Sequence, residues 1–262
     1  MKRRELTEEH IFPKSLTLPG TKQIRELIPR IDIDKRYRKN THLAQNGLTL
    51  KTTCAKCNNY LLGTKYDPAL KHLYEEASLY VRNIKLLLGN FIKLENIELN
   101  KAMRAIIGHM LAADKNPNPR APKSRAMRRA LFDCDYKIPS EFSILMWLYP
   151  SKEQAIIRDI FVTEEFGRKS EEMIWISAYK TFPLAFAFTH RGVIRDWPYK
   201  GVIDITKILS SNIDSKFTLT ISLKDIPHQV WPEAPTQSGA IFMGDGQRLL
   251  TRPHTPQKPY NH

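Results

Sequence analysis

Cysteine is scarce in this chain. Three occur, Cys54, Cys57 and Cys134, too few for the disulfide framework of a small secreted domain. Nowhere do eighteen apolar residues follow one another, so no membrane-spanning helix is expected. The basic start, MKRRELTEEH, has no apolar stretch behind it, and it is not read as a secretory signal. No internal repeat or long low-complexity segment is present, which sets aside solenoids and arrays. Acidic residues are also short: 27 Asp and Glu stand against 41 Lys and Arg, a net charge of +14. The expectation is a cytoplasmic protein with no membrane partner, whose surplus charge meets a polyanion, nucleic acid first.

What is present is enough to build a core. The 262 residues are 42% hydrophobic and 10% aromatic, which fits one large or two modest folded units. The charge is uneven. Residues 1–70 hold 14 basic and 7 acidic side chains, a net of +7; residues 71–135 hold 12 and 7, a net of +5; residues 136–262 hold 15 and 13, a net of +2. A polyanion would therefore be gripped by the first half. The densest basic stretch runs from Lys115 to Arg129 and contains no acid. Its Arg120, Lys123, Arg125, Arg128 and Arg129 are candidate nucleic-acid contacts. Pro117, Pro119 and Pro122 keep its first part out of a helix, and Ser124 is placed to cap a short helix carrying the last three arginines. A solvated surface loop is the alternative.

Three segments are expected in an α+β chain. Residues 1–67 look irregular, with short strand-like pieces. Residues 68–135 read as helical with a basic loop: Leu70, Leu73, Tyr74 and Ala77 recur at helical spacing, and Met103, Ile106, Ile107, Met110 and Leu111 do so from about Leu99 to Ala113. From 136 to 262 the texture is β-rich. FSILMWLYP, QAIIRDIFVTEEF, EEMIWISAY, PLAFAFTHRG and KFTLTISL suggest about five strands of a mainly antiparallel sheet. PYKGVIDITKIL fits a strand or a short helix. The Pro-rich tail after Trp231 reads as a mobile or docking extension.

Two short segments carry chemistry. One is LTEEHIFPKSL, residues 6–16; the other is CAKCNNYLLG, residues 54–63. Singly each is weak, since His10 could be an ordinary surface histidine and Asn58 and Asn59 turn or cap residues. In this order they resemble the HNH nuclease family, the ββα-metal fold, over about residues 1–66. That resemblance implies a metal-dependent endonuclease. It casts His10 as general base, Glu9 as metal ligand and Asn58 as the second ligand from the helix, with Asn59 as the alternative. It further implies a middle residue that steadies the loop, which falls on Thr49 or Asn46. A phosphodiester hydrolase needs such groups. Imidazole titrates near neutral pH, and a carboxylate with an amide oxygen suits Mg²⁺ or Mn²⁺. Lys14, Lys56 and Lys65 are placed to touch flanking phosphates.

The chain departs from the family pattern in three ways. No second CxxC precedes Glu9, so Cys54 and Cys57 supply half of a four-thiolate Zn²⁺ set, with His42 or His72 as unassigned candidates to complete it. The position nine residues before Asn58 is Thr49 and not Asn. The 47 residues between His10 and Asn58 are many, and Thr17 to Gln45 reads as an insertion. Its Lys35, Arg36 and Arg38 flank Tyr37, a basic stretch with one stacking aromatic. The expected substrate is DNA before RNA, in a setting such as restriction or phage defence. The near-neutral last half is left for a regulatory protein partner or a second copy of the chain. The competing expectations are a non-catalytic nucleic-acid-binding protein and a nuclease subunit that is inert without its partner.

Overall fold

The computed structural model describes residues 5–17, 22–26, 41–45, 47–82, 89–114, 117–163, 174–190, 199–232, 240–242 and 248–253. The chain is α+β. Strand β1 (Leu6–His10) pairs antiparallel with β4 (Thr49–Cys54). Between them β2 (Lys22–Glu26) and β3 (Thr41–Ala44) leave for another sheet. After β4 the chain enters a wide π-type helical segment, Lys56–Tyr66, which runs straight into α1 (Asp67–Arg82). So β1, β4 and the helix make a strand–strand–helix unit.

The two expected helices form, but a strand that the helical reading did not include lies between them. β5 (Phe91–Ile97) separates α1 from α2 (Leu99–Ala112). Ile92, Leu94 and Ile97 are buried, while Phe91, Lys93 and Glu95 are exposed, a period near two that a helical reading overlooks. Asn96 takes φ of 58° where the pairing shifts register, a backbone state that Asn tolerates. The partner of β5 is β11 (Phe217–Ser222). That C-terminal strand therefore stands apart from the main sheet. α3 (Pro122–Phe132) starts at Pro122, with the ring in the first helical turn. Ser124 lies buried inside α3 and does not cap it.

Among the described residues the main sheet has nine strands, all paired antiparallel. β6 (Phe142–Leu148), β7 (Gln154–Thr163), β8 (Ile174–Thr181) and β9 (Leu184–His190) form its middle, in the order β6-β9-β8-β7. β10 (Ile203–Asp204) flanks β6, and a 3-10 turn at Thr206–Ser210 follows, so PYKGVIDITKIL supplies both a strand and a helical turn. Beyond β7 come β13 (Arg248–Pro253), β2 and β3, with β12 (Ala240–Phe242) also on β7. The segments of the tail that are described are thus sheet strands, and so are those of the N-terminal insertion.

Every residue of β6 is buried, because the sheet is covered on both faces, which explains its unbroken apolar run. One face packs Ile144, Met146, Leu184, Phe186 and Phe188 against a cluster that includes Leu73 of α1 and Met103 and Ile107 of α2. The other packs Leu145, Trp147 and Ile157 around Trp231, whose ring meets Trp147 edge-on at 5.2 Å. The first cluster runs from Ile11 to Ile221, across the boundaries at 67 and 135 that composition suggests. Among the described residues no helix is long and apolar enough to cross a membrane.

Candidate functional site

β1 presents Glu9 and His10 to opposite sides. Glu9 is 4% exposed; His10 is half-buried, and Glu8 is exposed. The pairing of β1 with β4 slips at Thr7/Glu8 and ends with His10 opposite Thr49. Ile11 and Phe12 then enter the core, and a 3-10 turn forms at Lys14–Leu16. Thr49, one of the two candidates for the middle position, therefore sits beside the proposed base. Asn46, the other, lies outside the described residues, as do Lys35, Arg36 and Arg38.

Asn58 reaches β1 from the first turn of the helical segment. Its Nδ2 donates to the Glu8 carbonyl at 2.9 Å and to Thr7 Oγ1 at 3.1 Å. Residues fifty apart in sequence are thereby tied together, next to Glu9 and His10. The amide nitrogen is spent on this anchor, so only the oxygen could face a cation. Asn59 is exposed, with its carbonyl accepting from Thr64 Oγ1 at 3.0 Å.

Glu9 points inward to two groups the sequence reading did not select. Its Oε1 lies 3.5 Å from Nδ1 of His109, on α2, and His109 Nε2 lies 2.9 Å from Oδ1 of Asp67, the first residue of α1. A carboxylate oxygen accepts, so Nε2 carries the proton and Nδ1 turns its other valence toward Glu9. Glu9 Oε2 and His109 Nδ1 are both buried without a hydrogen-bond partner. Burial raises the Glu9 pKa to about 7, against a lowering by His109 and a further raising by Asp67. For His109 burial acts downward, but Asp67, Glu9 and the backbone of His10 outweigh it, and the net direction is up. Glu9 is thus pushed toward its protonated form and His109 toward its charged one. The signal in the sequence was faint: His109 interrupts the apolar run AIIGHMLAA, and Asp67 precedes Pro68 at a helix start.

These atoms allow a test of fit for a divalent ion. A buried carboxylate oxygen and an imidazole nitrogen, both lacking partners, suit Mn²⁺ or Mg²⁺. Asp67 behind the imidazole supplies the outer hydrogen bond that ligating histidines use. Glu9 and His109 therefore fit as donors, and the Asn58 oxygen is the remaining one nearby. Zinc fits less well. Cys54 Sγ and Cys57 Sγ lie 3.6 Å apart, but two sulfurs do not make a four-ligand site. Among the described residues no group of three or more His, Cys, Asp and Glu is arranged to hold a metal. His72 faces Glu76 on α1 at 4.0 Å.

The basic candidates divide. Lys14, Lys56, Lys65, Arg120, Arg125 and Arg129 are exposed, and Arg128 is half-buried. Arg129 lies over the Tyr136 ring at 5.7 Å, and Arg125 donates to the Arg120 carbonyl at 3.1 Å. Lys123 is different. It is ion-paired with Asp159 and sits 4.7 Å above the Trp175 ring. Burial lowers its pKa, with Asp159 acting against this. It thus ties α3 to the sheet. Asp159 receives it from a bulge in β7, at φ of 52°, where Trp175 Nε1 and Ser177 Oγ also donate to it.

Comparison with protein-family models, with characterised protein sequences and with solved structures returns no match.

Proposed function

We propose that the chain is a metal-dependent endonuclease that hydrolyses nucleic-acid phosphodiester bonds, DNA before RNA. One observation carries the reading. The acid–His pair and the Cys-x-x-Cys-Asn segment occur in HNH-like order. The strand–strand–helix unit also holds them together, through the 2.9 Å bond from Asn58 to the Glu8 carbonyl. His10 would take a proton from the attacking water. Glu9 and His109, with the Asn58 oxygen, would hold the divalent ion, and Asp67 would fix the imidazole tautomer. When bound, that ion would offset negative charge on the phosphoryl and leaving oxygens. Asn58 Nδ2 keeps β1 in place beside them. The exposed Lys14, Lys56 and Lys65 would hold the backbone on either side. Restriction or phage defence in the cytoplasm is the setting proposed by analogy alone.

Supercoiled plasmid with Mg²⁺ or Mn²⁺ tests this. Nicking or linearisation that disappears with a chelator and falls at least about a hundredfold in His10→Ala is expected. Cleavage that survives either control would overturn the assignment. The burial of Glu9 favours a second reading, a subunit whose site opens only with a partner. Wild-type chain inert alone, and active once a copurifying protein is added, would select it over a non-catalytic DNA-binding protein.

A further inference from the structure

A cavity of about 280 Å³ lies between the Lys14–Leu16 turn, the start of β2, one side of α1 and the β8–β9 turn. Among the described residues three cations line it, Lys22, Arg82 and Lys152, with Glu75 as the one carboxylate. Glu75 is exposed and lies 3.7 Å from Lys71, which is outside the lining. Ser15 and Ser78 add hydroxyls, and Phe182 and Pro183 form an apolar wall.

Lys22 is the unusual member. It is 3% exposed, yet among the described residues its ammonium makes no hydrogen bond or ion pair. Its backbone is held on both sides, by Ala44 of β3 and Pro253 of β13. Burial lowers its pKa. The stem is buried while the ammonium is the end that lines the cavity, so an anion there would meet a cation already turned toward it. The floor beside it is built as well. Gln154 Nε2 donates to Thr181 Oγ1 at 3.0 Å and to the Leu16 carbonyl at 3.4 Å, joining the turn to the sheet.

We propose that this cavity binds a small phosphorylated ligand of mononucleotide size, its phosphate on Lys22, Arg82 and Lys152 and its flat or apolar part against Phe182 and Pro183. Three cations against one acid match the charge of a phosphate monoester, about −1.5 to −2 at pH 7, better than the single charge of each phosphodiester in a polymer. The volume sits at the small end of ligand pockets and excludes a duplex. The site does not depend on the nuclease reading. It adjoins that site in sequence, since Leu16 and Thr17 lie in the turn that follows His10, and an occupant would brace this turn.

Calorimetric titration of the full chain with adenosine 5′-monophosphate and with inorganic phosphate tests the proposal. Saturable binding of either probe at millimolar concentration is expected, weakened at least about tenfold in Lys22→Met. Lys22→Met should remain folded by circular dichroism, because it keeps the buried stem and removes only the charge that lines the cavity. If it does not, Arg82→Gln with Lys152→Gln, both at exposed positions, is expected to give the same loss. Three results would overturn the proposal: no saturable binding, binding undiminished in the folded variants, or displacement of the monophosphate by a 5′-hydroxyl oligonucleotide. The last would make the cavity a subsite for polymer backbone.

Discussion

Glu9 and His109 face each other across 3.5 Å of buried space with neither Glu9 Oε2 nor His109 Nδ1 otherwise bonded. A lone pair against an ionised carboxylate oxygen is repulsive, so a proton or a cation must lie between them. Glu9 then has a folded pKa of about 7 against 4.5 unfolded. The folded chain holds that proton more tightly, so the associated stability is fully present below about pH 4.5. It is lost as pH rises through 7, by about 3 kcal/mol in all. His109, also raised, acts in the same direction above its ordinary 6.5. Urea unfolding in chelator should therefore show lower stability at pH 8 than at pH 5, and Glu9→Gln should flatten that slope. Equal slopes in the two proteins would contradict the raised pKa of Glu9. Divalent metal should restore part of the stability at pH 8 in wild type and not in Glu9→Gln.

At the level of elements, α2 is the beam on which the site rests. Thr52 Oγ1 of β4 donates to the Ala112 carbonyl at its C-terminal end, 2.5 Å away. Arg104, fully buried, sends its guanidinium to the end of α3. It donates to the carbonyls of Ala130, of Asp133 at 2.8 Å and of Cys134 at 3.0 Å, while Nε donates to Asn100 Oδ1 at 2.7 Å. A cation there offsets the partial negative charge of the helix end and satisfies carbonyls that α3 leaves unpaired. Arg104→Leu keeps the apolar volume but strands those acceptors, so a loss of about 3 kcal/mol in urea unfolding is expected. A change under about 0.5 kcal/mol would mean the carbonyls find water instead. Gly108 shows the same closeness on the other side of α2. A Cβ there would collide with Leu62 Cδ2 of the π-type segment. Gly108→Ala should therefore destabilise by about 1 kcal/mol, although alanine is the better helix former.

Across the whole molecule, the N-terminal segment is not independent. β2 pairs with β13, which in turn pairs with β7, so residues 22–26 complete a sheet begun more than a hundred residues later. Ile11, Phe12 and Leu48 belong to the same apolar cluster as Phe186 and Ile221. A fragment of residues 1–67 should then be unfolded by circular dichroism, whereas the full chain should melt in one cooperative transition. A folded fragment with dispersed amide resonances would show that the nuclease-like unit stands alone.

Periodicity was legible where one face is buried and the other wet. The stripe of Leu70, Leu73, Tyr74 and Ala77 follows from spacing, whereas the strands of 142–190, covered on both faces, follow from β-branched and aromatic runs set between polar turns. β5 was missed because LGNFIKLENIELN, with its Leu and Glu, also suits a helix; only pairing with β11 makes it a strand. The tail and the insertion were missed because edge and joining strands are short and polar, and their partners lie far away in sequence. The order of Glu9, His10, Cys54, Cys57 and Asn58 was visible at once, since it is local. Asp67 and His109 were not, for a buried ion pair depends on three elements meeting. Lys22 reads as one more positive charge among 41, and Lys123 as a nucleic-acid contact. One lines a cavity and the other is tied to Asp159. Residue type thus determined which chemistry the chain carries and where its elements begin. Burial, which depends on the packing of elements distant in sequence, decided which of those charges face solvent and which face each other.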